Sequence, residues 1–209
     1  MCFRRYTFAQ MIGCFFILGI CSCAKIWPKA SNDPNVFSAG SKSVSLEELS
    51  NPGKNHSLLD PLIGKWKVQV KYWADASTPP EITSGTSEIK WIFGQRFVQE
   101  IYRGKSSGKP YQGLGLMGYD PQLAKFISIW IDSLSTGVMI SEGTSDQAGK
   151  SFTFKTQFQH PSTGEKKELI SELRLVNPSQ HVFELFEILP DGKRFKTVEM
   201  IYSKGATKR

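Results

Sequence analysis

The chain has 209 residues, of which 40% are hydrophobic and 12% aromatic, enough apolar material for one domain with a buried core. Its formal charge is +7, but the basic residues are scattered along the chain, which favours a solvated basic surface and argues against a nucleic-acid-binding protein. All four cysteines lie within the first 23 residues. The rest of the chain therefore excludes a disulfide scaffold, a cysteine zinc site and a cysteine nucleophile.

The start of the chain has the pattern of a signal peptide. Two arginines precede an apolar run over residues 8–20, which has signal-peptide length and is short for a membrane span. The tetrapeptide Ile20-Cys21-Ser22-Cys23 resembles the lipobox of bacterial lipoproteins, whose last cysteine is lipidated. We therefore predict a signal peptide over residues 1–22, lipidation of Cys23 and anchoring to a membrane of the cell envelope, facing the periplasm. An ordinary secretory signal and an uncleaved anchor are the alternatives.

Residues 23–55 have the composition of a flexible linker, with Lys, Ser, Asn, Pro and Gly and few large apolar side chains. Ser45 and Glu48 have the spacing of a capping box, which predicts one short helix. A second helical turn is expected over residues 57–60, before a proline. The folded domain is predicted to cover residues 56–209.

From Gly64 onward the hydrophobic pattern has a period of two, which is typical of half-buried strands. About ten such segments follow one another with short turns and no long helix between them. Short turns make neighbouring strands antiparallel, and closing the sheet removes its exposed edges. We predict an all-β, up-and-down antiparallel barrel, which can hold one small ligand, with a two-sheet β-sandwich as the alternative. The predicted strands cover residues 64–72, 87–93, 96–103, 111–119, 125–132, 137–144, 151–159, 167–176, 180–189 and 194–203.

An ordered set of motifs extends over the same region. It comprises Leu62-Ile63-Gly64-Lys65-Trp66, Trp91-Ile92-Phe93-Gly94-Gln95-Arg96-Phe97, Gly113-Leu114-Gly115-Leu116-Met117-Gly118-Tyr119-Asp120, Trp130-Ile131-Asp132-Ser133, Ser141-Glu142-Gly143-Thr144 and Pro190-Asp191-Gly192-Lys193. The set resembles the bacterial family known as domain of unknown function 1579, from about Ser57 to Ser203. The resemblance implies a β-barrel-like domain and no established activity. Gly64-Lys65-Trp66 also resembles the Gly-x-Trp signature of lipocalin and calycin barrels, in which the tryptophan closes one end.

The segment around Trp130 carries the most promising polar groups. Trp130 and Asp132 share one face of their strand and three isoleucines share the other, so that either face could point into the barrel. Glu142 shares a face with Val138 and Ile140, and these apolar neighbours predict an inward position. A buried carboxylate there would need a cationic or hydrogen-bonding partner.

Arginines on other strands are the candidate partners for these carboxylates. Convergence would produce a carboxylate–guanidinium network able to bind a polar head group. The alternative is a set of structural ion pairs or solvated strand faces; the pattern places Arg174 outward and leaves the face of Glu184 undecided. The candidate ligand-binding residues are Trp66, Arg96, Tyr102, Trp130, Asp132, Glu142, Arg174 and Glu184.

Other chemistry has little support in the sequence. The three histidines lack metal-ligand spacing and are expected at the surface, so we predict no metal and no cofactor. The serines show no nucleophile elbow. The glycines of Gly113-Leu114-Gly115-Leu116-Met117-Gly118 lie within a strand that is followed by a turn, which excludes a dinucleotide site. They are expected to allow barrel curvature or close packing against a tryptophan ring.

The sequence thus favours an exported envelope lipoprotein whose barrel binds a small apolar or amphipathic ligand and no nucleic acid. One alternative is an enzyme that uses Asp132 and Glu142 for acid–base chemistry, and another is a structural or interaction module of the envelope. The ligand and the oligomeric state stay open.

Overall fold

The computed structural model describes residues 43–159, 164 and 166–204. The predicted signal peptide and the predicted lipidation of Cys23 lie outside the described residues. Within those residues, no helix has both the length and the apolar character that crossing a membrane requires.

Short helices precede the sheet and cover one of its ends. Helix α1 (Leu46–Ser50) has the predicted capping box, in which the Ser45 hydroxyl accepts from the Glu48 amide at 3.1 Å and the Glu48 carboxylate accepts from the Ser45 amide at 3.1 Å. Helix α2 (Lys54–Ser57) and a 3₁₀ turn (Asp60–Leu62) follow directly. Leu59, between them, is fully buried, so this segment plugs the end of the barrel.

Ten antiparallel strands form a closed barrel in which each strand pairs with its neighbours in sequence and the last pairs with the first. The predicted up-and-down barrel is confirmed, and the sandwich is excluded. The strands are β1 (Gly64–Tyr72), β2 (Glu81–Ile92), β3 (Phe97–Ser106), β4 (Lys109–Asp120), β5 (Lys125–Asp132), β6 (Met139–Ser145), β7 (Ser151–Gln159), β8 (Lys166–Asn177), β9 (Gln180–Ile188) and β10 (Arg194–Ser203).

Several strand ends differ from those predicted, among them the starts of β2 and β6. β2 begins at Glu81 instead of residue 87, because its polar first half pairs along β1 from Tyr72↔Glu81 to Lys67↔Thr86. That half carries few apolar residues, so periodicity alone does not reveal it. β6 begins at Met139 instead of residue 137, and residues 133–138 form a loop between β5 and β6.

The apolar core lies at the end covered by the helices. Trp66 is 3% exposed and its indole N–H donates to the Leu62 carbonyl oxygen at 2.8 Å, which ties the first strand to the 3₁₀ turn. Phe126 and Phe152 pack edge to face with ring centroids 5.1 Å apart beside it. This end is closed, as the likeness to lipocalins implies. The loop between β5 and β6 lies at the opposite end.

Candidate ligand-binding cavity

A cavity of about 440 Å³ lies inside the barrel, above the apolar core. Because side chains alternate along each strand, most of the residues that a strand contributes to the cavity wall lie on one face of that strand, as Leu169 and Leu173 do on β8. The volume falls within the roughly 300–1,000 Å³ that small-molecule sites occupy. The larger apolar side chains of the wall include Met117, Trp130, Met139, Phe154, Phe158, Leu169, Phe183, Leu185 and Met200.

A hydrogen-bonded cluster of Tyr111, Trp130 and Asp132 lies where the cavity approaches the loop after β5. The Tyr111 hydroxyl and the Trp130 indole N–H each lie 3.3 Å from Oδ2 of Asp132, and the indole N–H is also 3.3 Å from the hydroxyl. The Leu134 amide donates to the other carboxylate oxygen at 2.8 Å. Burial and the neighbouring Asp132 raise the pKa of Tyr111, so the hydroxyl stays protonated and donates.

Two glycines of β4 leave room for the Trp130 ring. A Cβ atom on Gly113 would lie 2.6 Å from Cη2 of Trp130 and closer still to Cζ2, and one on Gly115 would lie 3.3 Å from Cε3. Any side chain at Gly113 would therefore displace the ring. The prediction that the strand glycines permit close packing against a tryptophan is confirmed.

Glu100 places a carboxyl group in the wall beside Gly115. The Ser87 hydroxyl donates to its Oε1 at 2.7 Å, and the Tyr202 hydroxyl reaches the same oxygen from across the barrel at 3.0 Å. Burial is the main influence on this group and raises its pKa, although the two hydrogen bonds act in the opposite direction. The surroundings of Glu100 therefore favour the neutral form of its carboxyl group more than water does.

His181 lies at the floor of the cavity, between two aromatic rings. Its ring stacks on Tyr202 with centroids 4.2 Å apart and meets Trp66 edge to face at 4.4 Å. Burial, assisted by the charge of Lys204, lowers the pKa of His181 to about 3, so the imidazole is neutral. The expectation that the histidines lie at the surface is wrong for His181, which is 2% exposed, and for His56, which is also buried.

One ion pair faces the cavity. Lys167 on β8 bonds to Glu187 on β9, and both side chains are partly buried. Among the described residues that line the cavity, Lys167 is the only lysine or arginine. The described residues also contain no group of three or more His, Cys, Asp or Glu side chains arranged to hold a metal ion.

Comparison with known proteins identifies the family. A sequence profile described as "protein of unknown function (DUF1579)" matches residues 51–204. The chain belongs to the DUF1579 family. The resemblance drawn from the motifs is thereby confirmed. No curated protein matches the chain in sequence.

Two solved structures are similar to this DUF1579 member to different degrees. The crystal structure of Rv2717c from M. tuberculosis is similar with a TM-score of 0.54 and 12% sequence identity, over 74% of this chain and 99% of that one. A redesigned beta barrel, b11L5F_LGL, aligns with 16% identity over 72% of this chain and 94% of its own, with a TM-score of 0.35. The similarity to Rv2717c supports the fold of this chain and nothing about its function.

In the DUF1579 barrel, the predicted site residues lie in three places: in the cavity wall, in the buried core outside that wall, and on the outer surface. Trp130 and Asp132 line the cavity, which settles the choice between the two faces of β5. Trp66 and Tyr102 are buried but lie outside the cavity wall; Trp66 closes the barrel. Whether any of these residues binds a ligand stays a prediction.

The remaining candidates lie on the outside of the barrel. The expectation that Glu142 points inward is wrong, because β6 turns Met139, Ser141 and Gly143 inward and leaves Glu142 to pair with Lys125 at the surface. The apolar neighbours that suggested an inward face, Val138 and Ile140, are 59% and 57% exposed.

The two arginines do not reach the cavity either. Arg96 lies in the exposed turn between β2 and β3, where its guanidinium donates to the carbonyl oxygen of Phe93 at 3.0 Å. Arg174 pairs with Glu184 on the outer surface at 3.5 Å. The structure thus does not form the carboxylate–guanidinium network that the sequence suggested.

The sequence analysis missed most of the polar groups that the cavity contains. They include Glu100, Tyr111, Lys167, His181, Glu187 and Tyr202. The sequence contained one indication for Glu100, which lies on the same face of β3 as Val98 and Tyr102. Both of these residues are buried. The phenylalanine and isoleucine on the other face of that strand obscured it.

Proposed function

We propose that this DUF1579 barrel binds one small apolar or amphipathic molecule inside its cavity. The supporting observation is a cavity of about 440 Å³ whose wall is mainly apolar and holds a few separated polar groups. Sites for small molecules usually combine an apolar surface, which supplies most of the affinity, with a few polar groups that fix orientation. Here those groups are Glu100, Asp132 and the Lys167–Glu187 pair.

The composition of the wall favours a flexible ligand. Met117, Met139 and Met200 all line the cavity, and methionine side chains adapt their shape to irregular ligands. Burying apolar ligand surface against such a wall contributes roughly 25 cal/mol per Å² before the costs of ordering the ligand. An acyl or isoprenoid chain therefore suits this cavity better than a rigid polar molecule.

We further propose that the protein is exported and anchored in the cell envelope through a lipid on Cys23. The support is the lipobox-like sequence and the apolar run before it. Palmitate labelling of the full chain, compared between the wild type and Cys23→Ser, tests the anchor. Label that persists in the Cys23→Ser variant would contradict it.

The cavity proposal is tested by titration with the neutral fluorescent probe N-phenyl-1-naphthylamine. We expect saturable binding with one probe per chain and a marked rise in fluorescence. Ser128→Phe puts a ring into the cavity from β5 and should weaken probe binding at least tenfold. Ile129→Phe is the matched control, because the neighbouring side chain points outward and should leave binding unchanged.

Each outcome of this titration has a clear meaning. Equal probe affinity in the two phenylalanine variants would show that the probe binds elsewhere and would contradict the proposal. Thermal melts of both variants verify that they are folded. The acid–base enzyme alternative receives no support from the geometry, because Asp132 and Glu142 face opposite sides of the barrel wall.

A further inference from the structure

The two oxygens of the Glu100 carboxyl group have different surroundings. Oε1 accepts both hydrogen bonds that the group receives, one from Ser87 and one from Tyr202. No donor among the described residues bonds to Oε2, and Glu100 lines the cavity. When one oxygen of a neutral carboxyl group accepts two hydrogen bonds, that oxygen is the carbonyl oxygen, and the proton lies on the second oxygen. Oε2 is thus the oxygen that can act as a hydrogen-bond donor toward the cavity.

The groups around Glu100 give no support to a charged carboxylate. The titratable side chains that line the cavity with Glu100 are Tyr111, Asp132, Lys167, His181, Glu187 and Tyr202, and Tyr102 also lies close enough to interact with Glu100. Lys167, the one amine among them, bonds to Glu187. His181 is neutral, and Asp132 is a second carboxyl group, which cannot act as a cationic partner for Glu100. Burial without a cation favours the neutral acid, consistent with the raised pKa of this group.

We propose that Glu100 is a specificity-determining residue that donates a hydrogen bond from its protonated carboxyl group to an uncharged carbonyl oxygen of the ligand. This inference rests on the proposed function, and it names the ligand class: an apolar chain that carries a ketone, ester or amide. Such a ligand would place its carbonyl beside the Trp130 ring, because Glu100 and Trp130 flank Gly115. A cationic amphiphile would need the ionised form of Glu100.

The test measures displacement of bound N-phenyl-1-naphthylamine by methyl undecyl ketone and by dodecylamine, which have chains of similar length. In the wild type the ketone should displace the probe at lower concentration than the amine. Glu100→Leu should weaken ketone affinity about five- to tenfold relative to the affinity of the same variant for the probe, which is the effect of losing one hydrogen bond. Glu100→Gln keeps a donor of similar shape and should retain ketone affinity within about threefold.

The outcomes separate this inference from the proposed function. Failure of the wild type to bind the probe contradicts both. Normal probe binding with equal ketone affinity in the wild type and Glu100→Leu contradicts the inference alone. Tighter binding of dodecylamine that is lost in both Glu100 variants would also overturn it, since that result requires an ionised carboxylate.

A second measurement examines the proton directly and needs no ligand. Infrared spectra of the wild type at neutral pH should contain the carbonyl-stretch band of a protonated carboxylic acid, and Glu100→Gln should lack it. Tyr202→Phe removes one donor from Oε1 and should shift that band without abolishing it. Absence of the band from the wild type would overturn the proposal, whatever the behaviour of the variants.

Discussion

At the scale of single residues, Gly113 sets the position of the Trp130 ring, which in turn contacts Tyr111 and Asp132. Gly113→Ala should push the ring away and cost about 1–3 kcal/mol, as overpacked sites do. Gly115→Ala, whose Cβ would lie 3.3 Å from the ring, should cost less. Denaturant unfolding and tryptophan fluorescence measure both effects.

Gly53→Ala is the control for this series, because a Cβ there would meet nothing within 4 Å. Gly53 is the N-cap of α2, where alanine is less favourable than glycine, so this variant should lose about 0.5–1 kcal/mol with unchanged tryptophan fluorescence. If Gly113→Ala were as stable as Gly53→Ala and had unchanged tryptophan fluorescence, Gly113 would not be required to position the Trp130 ring.

His181 should make the fold sensitive to mild acid. Its pKa is about 3 in the folded state and about 6.5 when unfolded, so between these values the unfolded chain binds the proton more strongly. Stability should therefore fall as the pH decreases through this window, by about 2 kcal/mol from this residue at pH 5. His181→Phe, which keeps an aromatic ring on Tyr202, should show a smaller loss between pH 7 and pH 5 in urea unfolding. Identical losses in the two proteins would contradict the assignment.

Glu100 should act in the opposite direction. Its pKa is raised above the ordinary value of 4.5, so the folded state holds the proton more strongly than the unfolded chain. The contribution to stability is complete below that ordinary value and is lost as the pH rises through the folded-state pKa. Glu100→Gln cannot ionise and should reduce this loss, measured by urea unfolding at a series of pH values. A wild-type profile that matches the variant would show that Glu100 ionises normally.

At the scale of elements, period-two patterning predicted the strands well, because a strand with one buried face carries that pattern directly in its sequence. β5, β7 and β10 have the predicted bounds. The first half of β2 was missed because its side chains are mostly small or polar, and backbone pairing with β1 holds it in the sheet.

The same patterning predicted the site less well. The alternation of side chains shows which residues share a face of a strand but not which face points into the barrel. For Glu142, two apolar neighbours on the same face suggested an inward position, and that prediction was wrong. Glu100 and Tyr202 meet across the barrel and are 102 residues apart in sequence. No local pattern reveals such a contact, because it depends on closure of the whole sheet.

The outer face of β8, β9 and β10 carries linked ion pairs, which include Arg174–Glu184 and Lys196–Glu184. Exposed pairs contribute little, and the Arg174 side chain is 58% exposed. Arg174→Ala should therefore change the free energy of unfolding by less than about 1 kcal/mol and leave affinity for N-phenyl-1-naphthylamine unchanged. A marked loss of affinity would show that this outer residue affects the ligand site.

At the scale of the whole molecule, the barrel combines a closed end with an interior that is only partly filled. The plug around Leu59 and Trp66 supplies a compact apolar core, and the wall beyond it encloses the cavity. A barrel whose sole role was structural would gain stability from filling that space with side chains. The unfilled volume, with Glu100 and Asp132 in its wall, is the basis for proposing a bound ligand.

Native mass spectrometry of the protein purified from its own cells tests this central claim most directly. We expect the folded chain to carry one small molecule that is absent from the same sample under denaturing conditions, and whose extracted mass fits an apolar chain with a carbonyl group. A folded chain that shows only its own mass, and whose cavity also fails to take up N-phenyl-1-naphthylamine, would contradict the account.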